Sequence, residues 1–463
     1  MKKVFALFLC LIMALTVIAC GKDDAPKATE PESFVFSVGY GRVKVTPALG
    51  VSLKGYDKSE ERLATAVLDD LYVSCVVIQD EQGNRAALIA ADSIYTEEKV
   101  AQDAIRKLES QLGIPQEHVF FSSSHSHSTP APGSDISTAA VEAATAAVAD
   151  LKPATMYGGT TNTDRLNFVR HYIMNDESVV GDNYGSTKGK TYVGHVTDAD
   201  PEMRLIRFVR EGGKDIVMMN WQSHPHRTGG MTETNISADI VGTCRMAIEK
   251  TLKCDFIYLQ GASGNLNPIS RISKENVTAD HWSHGNALAQ AAISAIDDLT
   301  QLESGLIRAS VKTYTGKVRK DDDTIQNAAA DFMRVYEGGG TTEEAMKAAG
   351  GLVHSIYGAR NVFKRLSLKD EESLPIYALA IGDVGLIGAP YEMFDTNAQY
   401  IRKESPFAMT FTVTYCNGSN GYIPSAVGFE NGCYEMDSCN FVAGTGEVLA
   451  LEFVNMLKEL KTR

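Results

Sequence analysis

Apolar residues recur along the chain in two rhythms, and their order predicts the architecture. Short runs with strand character, VFSVGYGRVKV at 35–45, LYVSCVVI at 71–78 and RAALIAA at 85–91, precede the first helical pattern, EEKVAQDAIRKLESQL. The two types then alternate. The spacing predicts strands at HVFFSS (118–123), MRLIRFV, DIVMMNW and CDFIYLQ, and helices around 138–150, 239–252, 281–298 and 444–461. A strand pair, PIYALAIG and VGLIGAP, falls between the last two helices. Alternation with some consecutive strands predicts an α/β fold of mixed β-sheets flanked by helices, not a bundle or a sandwich. No internal repeat is visible in the residues. Residues 317–370, bracketed by KVRKDDD and KDEES, carry a separate amphipathic helical pattern that reads as a helical insertion or lid.

The N-terminus departs from this pattern. MKKVFALFLCLIMALTVIAC has a basic start, an apolar run and a small-residue stop, the form of a signal peptide over residues 1–20. Val17-Ile18-Ala19-Cys20 has the shape of a bacterial lipobox, with Cys20 as the lipidation site. Residues 21–33, charged and without large apolar side chains, read as a flexible tether, and the folded domain is expected over 34–463. The expectation is an exported protein lipid-anchored to a bacterial membrane on its periplasmic or cell-surface face.

A net charge of −14, from 58 acidic against 44 basic residues, argues against nucleic acid as a partner. Of eight cysteines, Cys10 leaves with the signal and Cys20 is lipidated. An exported compartment permits disulfides, with Cys433 to Cys439 or Cys416 as the candidate pairing. No CxxC spacing suggests a thiolate metal site.

The chemistry-bearing residues follow apolar strands. SSSHSHSTPAPG places His125 and His127 directly after HVFFSS, and two residues apart in an extended chain they face the same way. QSHPHRTGG repeats the arrangement after DIVMMNW with His224 and His226, so two strand ends could assemble one metal centre. CDFIYLQ runs into GASGNLNP, a small-residue turn at Gly264, Asn265 and Asn267 where backbone can approach a ligand. Glu392, following Pro390, reads as the start of a helix.

The order HSHS, NWQSHP with SADIVG, QGASGNLNP, GAPYEMF and NGYIP resembles the N-terminal catalytic domain of neutral, non-lysosomal ceramidases. The resemblance runs from about Phe36 to the end and implies that fold without the C-terminal β-sandwich. It implies one catalytic zinc ion held by His125, His224, Glu392 and Tyr422, with His224 preferred over His226. It also implies that His127, Arg170 and Tyr434 bind the carbonyl and polar head of a small-molecule or lipid substrate, and that Asp239 orients a ligand histidine. The implied activity is zinc-dependent hydrolysis of an amide (N-acyl) bond by zinc-activated water. Ester or N-acetyl-sugar hydrolysis with the same zinc, and a non-catalytic ligand-binding lipoprotein, are the alternatives. One turn departs from the family: Asn265 and Asn267 stand where ceramidases carry an Asp and a Ser, so no serine hydroxyl assists there, and ceramide as substrate does not follow.

Overall fold

The computed structural model describes residues 34–463 apart from 57–61, 132, 183, 229, 231 and 433. The signal peptide, Cys20, the tether and Cys433 therefore lie outside the described residues. Residues 35–463 form one compact unit. Among the described residues no helix is long and apolar enough to cross a membrane.

One motif occurs three times: an antiparallel hairpin, a helix, a strand parallel to the hairpin's second strand, and a further helix. In the first, β1 (Tyr72–Gln79) and β2 (Arg85–Ala91) form the hairpin and β3 (Val119–Ser123) runs parallel to β2. In the second, β4 (Glu202–Arg210) pairs with β5 (Ile216–Trp221), and β6 (Asp255–Gln260) runs parallel to β5. In the third, β7 (Glu371–Ile381) pairs with β8 (Val384–Gly388), and β9 (Met409–Val413) runs parallel to β8. The intervening helices are Glu98–Leu112, Asp239–Leu252 and Asp395–Glu404, and the closing helices are Ser134–Ala149, His281–Ala295 and Thr445–Thr462. The strands Ser37–Lys44 and Lys152–Asn162 join the first two motifs into a nine-stranded sheet, and the third forms a four-stranded sheet with the strand Ile307–Lys317.

Residue alternation explains the layering, because successive strand side chains point to opposite faces. In β1, Val76 and Ile78 face an inner core while Val73, Cys75 and Val77 face the helices outside. In β5, Met218 faces inward while Val217, Met219 and Trp221 face the second pair of helices. In β7, Leu379 and Ile381 face inward while Ile376, Ala378 and Ala380 meet the third pair. The inner core thus draws on all three motifs, and strands covered on both faces read as nearly continuous apolar runs. Side-chain amides tie the motifs together. Asn417 donates to the Val119 carbonyl at 3.0 Å and accepts from the Phe121 amide at 2.8 Å, while Asn220 donates to the Leu259 and Thr412 carbonyls.

Ile307–Lys317 pairs with β7 along its whole length, so residues 318–370 are the tip of a hairpin. They form the helices Asp323–Glu337, Thr342–Ala348 and Ile356–Ser367 around a small core of Ala329, Phe332, Ala345 and Ala359. Buried Arg365, paired with Asp321 inside the tip, ties the tip to the body by donating to the Asp437 and Cys439 carbonyls at 2.7 and 3.2 Å.

Candidate metal centre and cavity

The parallel pairs β2/β3, β5/β6 and β8/β9 all end on the same chemistry-bearing segments, the usual location of ligand sites in open α/β sheets. Ser124 and His125 follow β3, His224 and His226 follow β5, and Asn265 and Asn267 follow β6. Glu392 follows β8, and Tyr415 and Tyr422 follow β9. Backbone in the left-handed region clusters here. His125 has φ 68°, Asp239 56°, Tyr415 51° and Asn417 60°, conformations that non-glycine residues hold only where the surroundings fix them.

Two of the clustered histidines are oriented by backbone carbonyls. His125 Nδ1 donates to the Ile94 carbonyl at 2.6 Å, and His224 Nδ1 donates to the Ser263 and Leu266 carbonyls at 2.8 and 3.0 Å. A carbonyl can only accept, so both Nε2 atoms carry lone pairs. Arg170 Nη1, which can only donate, faces His224 Nε2 at 3.4 Å and requires the same tautomer. The Nε2 atoms of His125 and His127 are 3.2 Å apart, and His125, His127 and His224 each bring one nitrogen into a group within 4.8 Å. Burial holds all three imidazoles neutral, lowering His125 to about 3 and the other two well below the ordinary value. Neutral imidazole is the form that binds a metal.

Glu392 closes the group. Its Oε2 lies 3.3 Å from His224 Nε2 and 3.8 Å from His125 Nε2, and it is buried with no hydrogen-bond partner among the described residues. An orphaned buried carboxylate oxygen beside inward-facing imidazole lone pairs is a donor set that fits a divalent ion such as zinc. Glu392 does not begin a helix. The short strand Glu392–Met393 pairs in parallel with Tyr422–Ile423, with Glu392 opposite Tyr422, and the helix starts at Asp395. Gly264 packs against this strand so closely that a Cβ would sit 2.6 Å from the Glu392 carbonyl oxygen.

Arg170 is the charged hub beside the cluster. It donates from Nε to Glu435 Oε1 at 2.5 Å, and from Nη2 to the Gly264 carbonyl at 2.8 Å and to the Tyr422 hydroxyl at 3.2 Å. Burial works against its charge, but the Glu435 carboxylate and the Tyr422 phenol outweigh it. Burial likewise opposes the Glu435 charge, yet Arg170 and then His171, 2.6 Å away, hold that carboxyl well below the ordinary range. Burial and then Glu392 push the phenols of Tyr422 and Tyr415 up, and Tyr415 stacks on His125 with ring centroids 4.2 Å apart.

His127, expected at the substrate carbonyl, lies within the histidine cluster and also lines the neighbouring cavity, whereas other candidates sit elsewhere. Asn265 turns away from the cavity and forms a reciprocal pair with Asp395, at 2.7 and 3.0 Å, and Gly264 sits behind the cavity wall. Asp239, expected to orient a ligand histidine, makes no hydrogen bond to a histidine of the cluster. It accepts from the Thr228 amide and hydroxyl at 2.5 Å, and Thr228 contacts Ser128 at 2.7 Å, so it pins the two histidine segments to each other. Cys416 and Cys439 are buried free thiols. Sequence reasoning missed Tyr415 and Glu435. Tyr415 lies shortly before NGYIP and Glu435 directly follows Tyr434, which was the available signal.

Next to the cluster lies a cavity of about 400 Å³. His127, Arg170, His224, Tyr422 and Tyr434 line it, together with Asn267 and His226. Asn267 donates to Asp182 and accepts from Arg170 Nη1 at 3.4 Å, which fixes its amide and makes His226 Nε2, 2.9 Å from Asn267 Oδ1, a donor. Tyr336, His354 and Tyr357 of the helical tip also line it.

No protein-family model matches the chain. A 101-residue stretch is 26% identical to the neutral ceramidase of Drosophila melanogaster, spanning 21% of this chain and 14% of that protein. The crystal structure of neutral ceramidase from Pseudomonas aeruginosa superposes with a TM-score of 0.68 at 17% identity, over 93% of this chain and 75% of that one. A ceramidase complexed with C2 gives 0.67 at 17% identity, over 93% and 76%. The described residues therefore have the fold of a neutral ceramidase-like domain, built of mixed α/β sheets flanked by helices.

Proposed function

We propose that this protein is a zinc-dependent hydrolase of amide (N-acyl) bonds, with the ion held by His125, His224 and Glu392 and completed by Tyr422 or His127. The observation that carries this reading is the orphaned Glu392 Oε2 facing the lone pairs of two neutral, backbone-oriented imidazoles. What zinc supplies when bound is Lewis acidity toward a carbonyl oxygen and acidity for water.

The chain's own residues do the rest. Arg170, fixed by Glu435, lines the cavity, where it stabilises negative charge gathering on the acyl oxygen. Tyr434, its ring 5.6 Å from that of Tyr422, holds the polar part of the substrate. Tyr415, stacked on His125, excludes water from the far side of that ligand. Hydrolysis adds water across the C–N bond: its oxygen goes to the acyl carbon, giving a carboxylic acid, and its proton goes to nitrogen, giving an amine. We also propose that the chain is exported and tethered to a membrane through a lipid on Cys20, on the strength of its lipobox.

The test is release of primary amine from a panel of N-acyl compounds by the zinc-loaded protein, compared with matched O-acyl esters. Equimolar amine and acid from the amides supports the reading. Turnover confined to the esters contradicts it.

A further inference from the structure

Asp182 lies outside every motif that the sequence displays, yet its carboxylate ends a chain of hydrogen bonds that begins at His224. It follows the short strand Val179–Gly181, which forms a three-stranded sheet with His171–Met174 and Tyr192–His195. The side chain is 4% exposed, and both of its oxygens are held. Tyr172, buried in the same small sheet, accepts from the Arg271 amide at 3.3 Å and turns its own proton to Asp182 Oδ1 at 3.0 Å. Arg271 Nε lies 3.5 Å from Asp182 Oδ2, and that oxygen also accepts from Asn267 Nδ2. The carboxylate is therefore anchored by its own sheet and by the segment after β6 before it meets Asn267.

A carboxylate only accepts and a guanidinium only donates. Asn267 stands between one of each, with Asp182 on its nitrogen side and Arg170 Nη1 on its oxygen side at 3.4 Å, so its amide has one orientation. The Arg170 contact is long for a hydrogen bond, so Asp182 carries most of that orientation. Asn267 Oδ1 then meets two groups. It accepts from His226 Nε2 at 2.9 Å, which places the His226 proton on Nε2, and it steadies Arg170 Nη1 at a point 3.4 Å from His224 Nε2. Glu435 holds Arg170 at Nε, and Gly264 and Tyr422 hold Nη2, which leaves Nη1 to Asn267. We infer that Asp182 is a positioning residue of this site: through Asn267 it fixes the Nη1 end of Arg170 and sets the tautomer of His226. The inference rests on the hydrolase reading above and adds to it a residue on which the acyl-oxygen contact depends.

The test is a double-mutant cycle on the zinc-loaded full chain, with p-nitroacetanilide and C2 ceramide as amide probes and amine release as readout. Asp182→Asn keeps the size of the side chain but removes its acceptor-only character, because an amide donates to Asn267 as readily as it accepts from it. The expected loss of kcat is about 10-fold with zinc content unchanged. In the Asn267→Ala background the same substitution is expected to change kcat by less than about twofold, since its effect passes through the amide already removed. A loss that multiplies with that of Asn267→Ala, or a loss of zinc in Asp182→Asn, overturns the inference. A second readout needs no turnover. Nitrogen NMR of histidine-labelled protein, with the His226 signal identified by its absence in His226→Gln, is expected to show the Nε2-protonated tautomer in wild type and a mixture in Asp182→Asn. One and the same tautomer in both proteins overturns the inference whatever the kinetics. If neither amide is cleaved and the tautomer still changes, the hydrolase reading fails and the orienting role of Asp182 stands.

Discussion

Glu435→Gln removes the carboxylate that holds Arg170 and His171, and the structure sets the size of the effect. Glu435 and Arg170 are both buried, at 1% and 5% exposure, with 2.5 Å between Oε1 and Nε. Removing one member of a buried ion pair leaves the other charge uncompensated, at a cost of about 3–5 kcal/mol. Glutamine keeps a carbonyl that accepts from Arg170, which places this variant near 3 kcal/mol. Over residues 35–463 the usual unfolding entropy amounts to about 0.9 kcal/mol per degree, so the melting temperature falls by about 3–4 °C at pH 7. The pH dependence supplies a second readout. The folded carboxyl of Glu435 is held below its ordinary value of 4.5, so its stabilisation is present above about pH 4.5 and lost as pH falls below it. Calorimetry from pH 7 to pH 3 therefore shows a shallower acid loss in the variant than in the wild type. Activity falls with it, because Arg170 is no longer fixed beside His224. A variant that melts within about 1 °C of wild type at pH 7, with the same acid slope, refutes the claim that Glu435 anchors Arg170.

Three further outcomes are expected. His224→Ala loses bound zinc by elemental analysis and all amide turnover, whereas Asn267→Ala keeps its zinc and loses about 10–100-fold in rate; loss of metal in the second variant counts against the assignment of ligands. Gly55→Ala places a Cβ 2.6 Å from His127 at φ +109°, so the imidazole must shift and activity drop while the fold persists by circular dichroism; unchanged kinetics would show that the position of His127 is immaterial. Cys20→Ser leaves the protein exported but moves it from the detergent phase to the aqueous phase on partitioning, and retention in detergent would point to another anchor.

Much of the site was legible because its residues sit in short polar words directly after apolar strands. HSHS and SHPH mark the ends of β3 and β5 with little ambiguity, since two histidines in a small-residue segment have no packing role to fill. The parts that were not legible fail for physical reasons. Lys152–Asn162 and Ile307–Lys317 are half-exposed strands rich in threonine, glycine and lysine, so their apolar signal is thin. Met409–Val413 is only five residues long. Pro390 suggested a helix start at Glu392, but pairing with Tyr422–Ile423 overrides that local signal. The threefold motif recurs in topology and in the inward–outward alternation, not in the identity of residues, so it leaves no repeat to find. Asn265 read as a ligand-facing residue because nothing in GNLNP tells which amide meets the cavity. Its partner, Asp395, lies 130 positions away.

The central claim is that metal held by His125, His224 and Glu392 is required for breaking an amide bond, and chelation tests it most directly. Amine release is followed in the purified protein before chelation, after exhaustive removal of metal, and after return of one equivalent of zinc. Activity is expected to disappear with the metal and return with the zinc in wild type, and neither Glu392→Gln nor His125→Ala recovers wild-type activity. Amide hydrolysis that continues at an undiminished rate in the metal-free protein would contradict it.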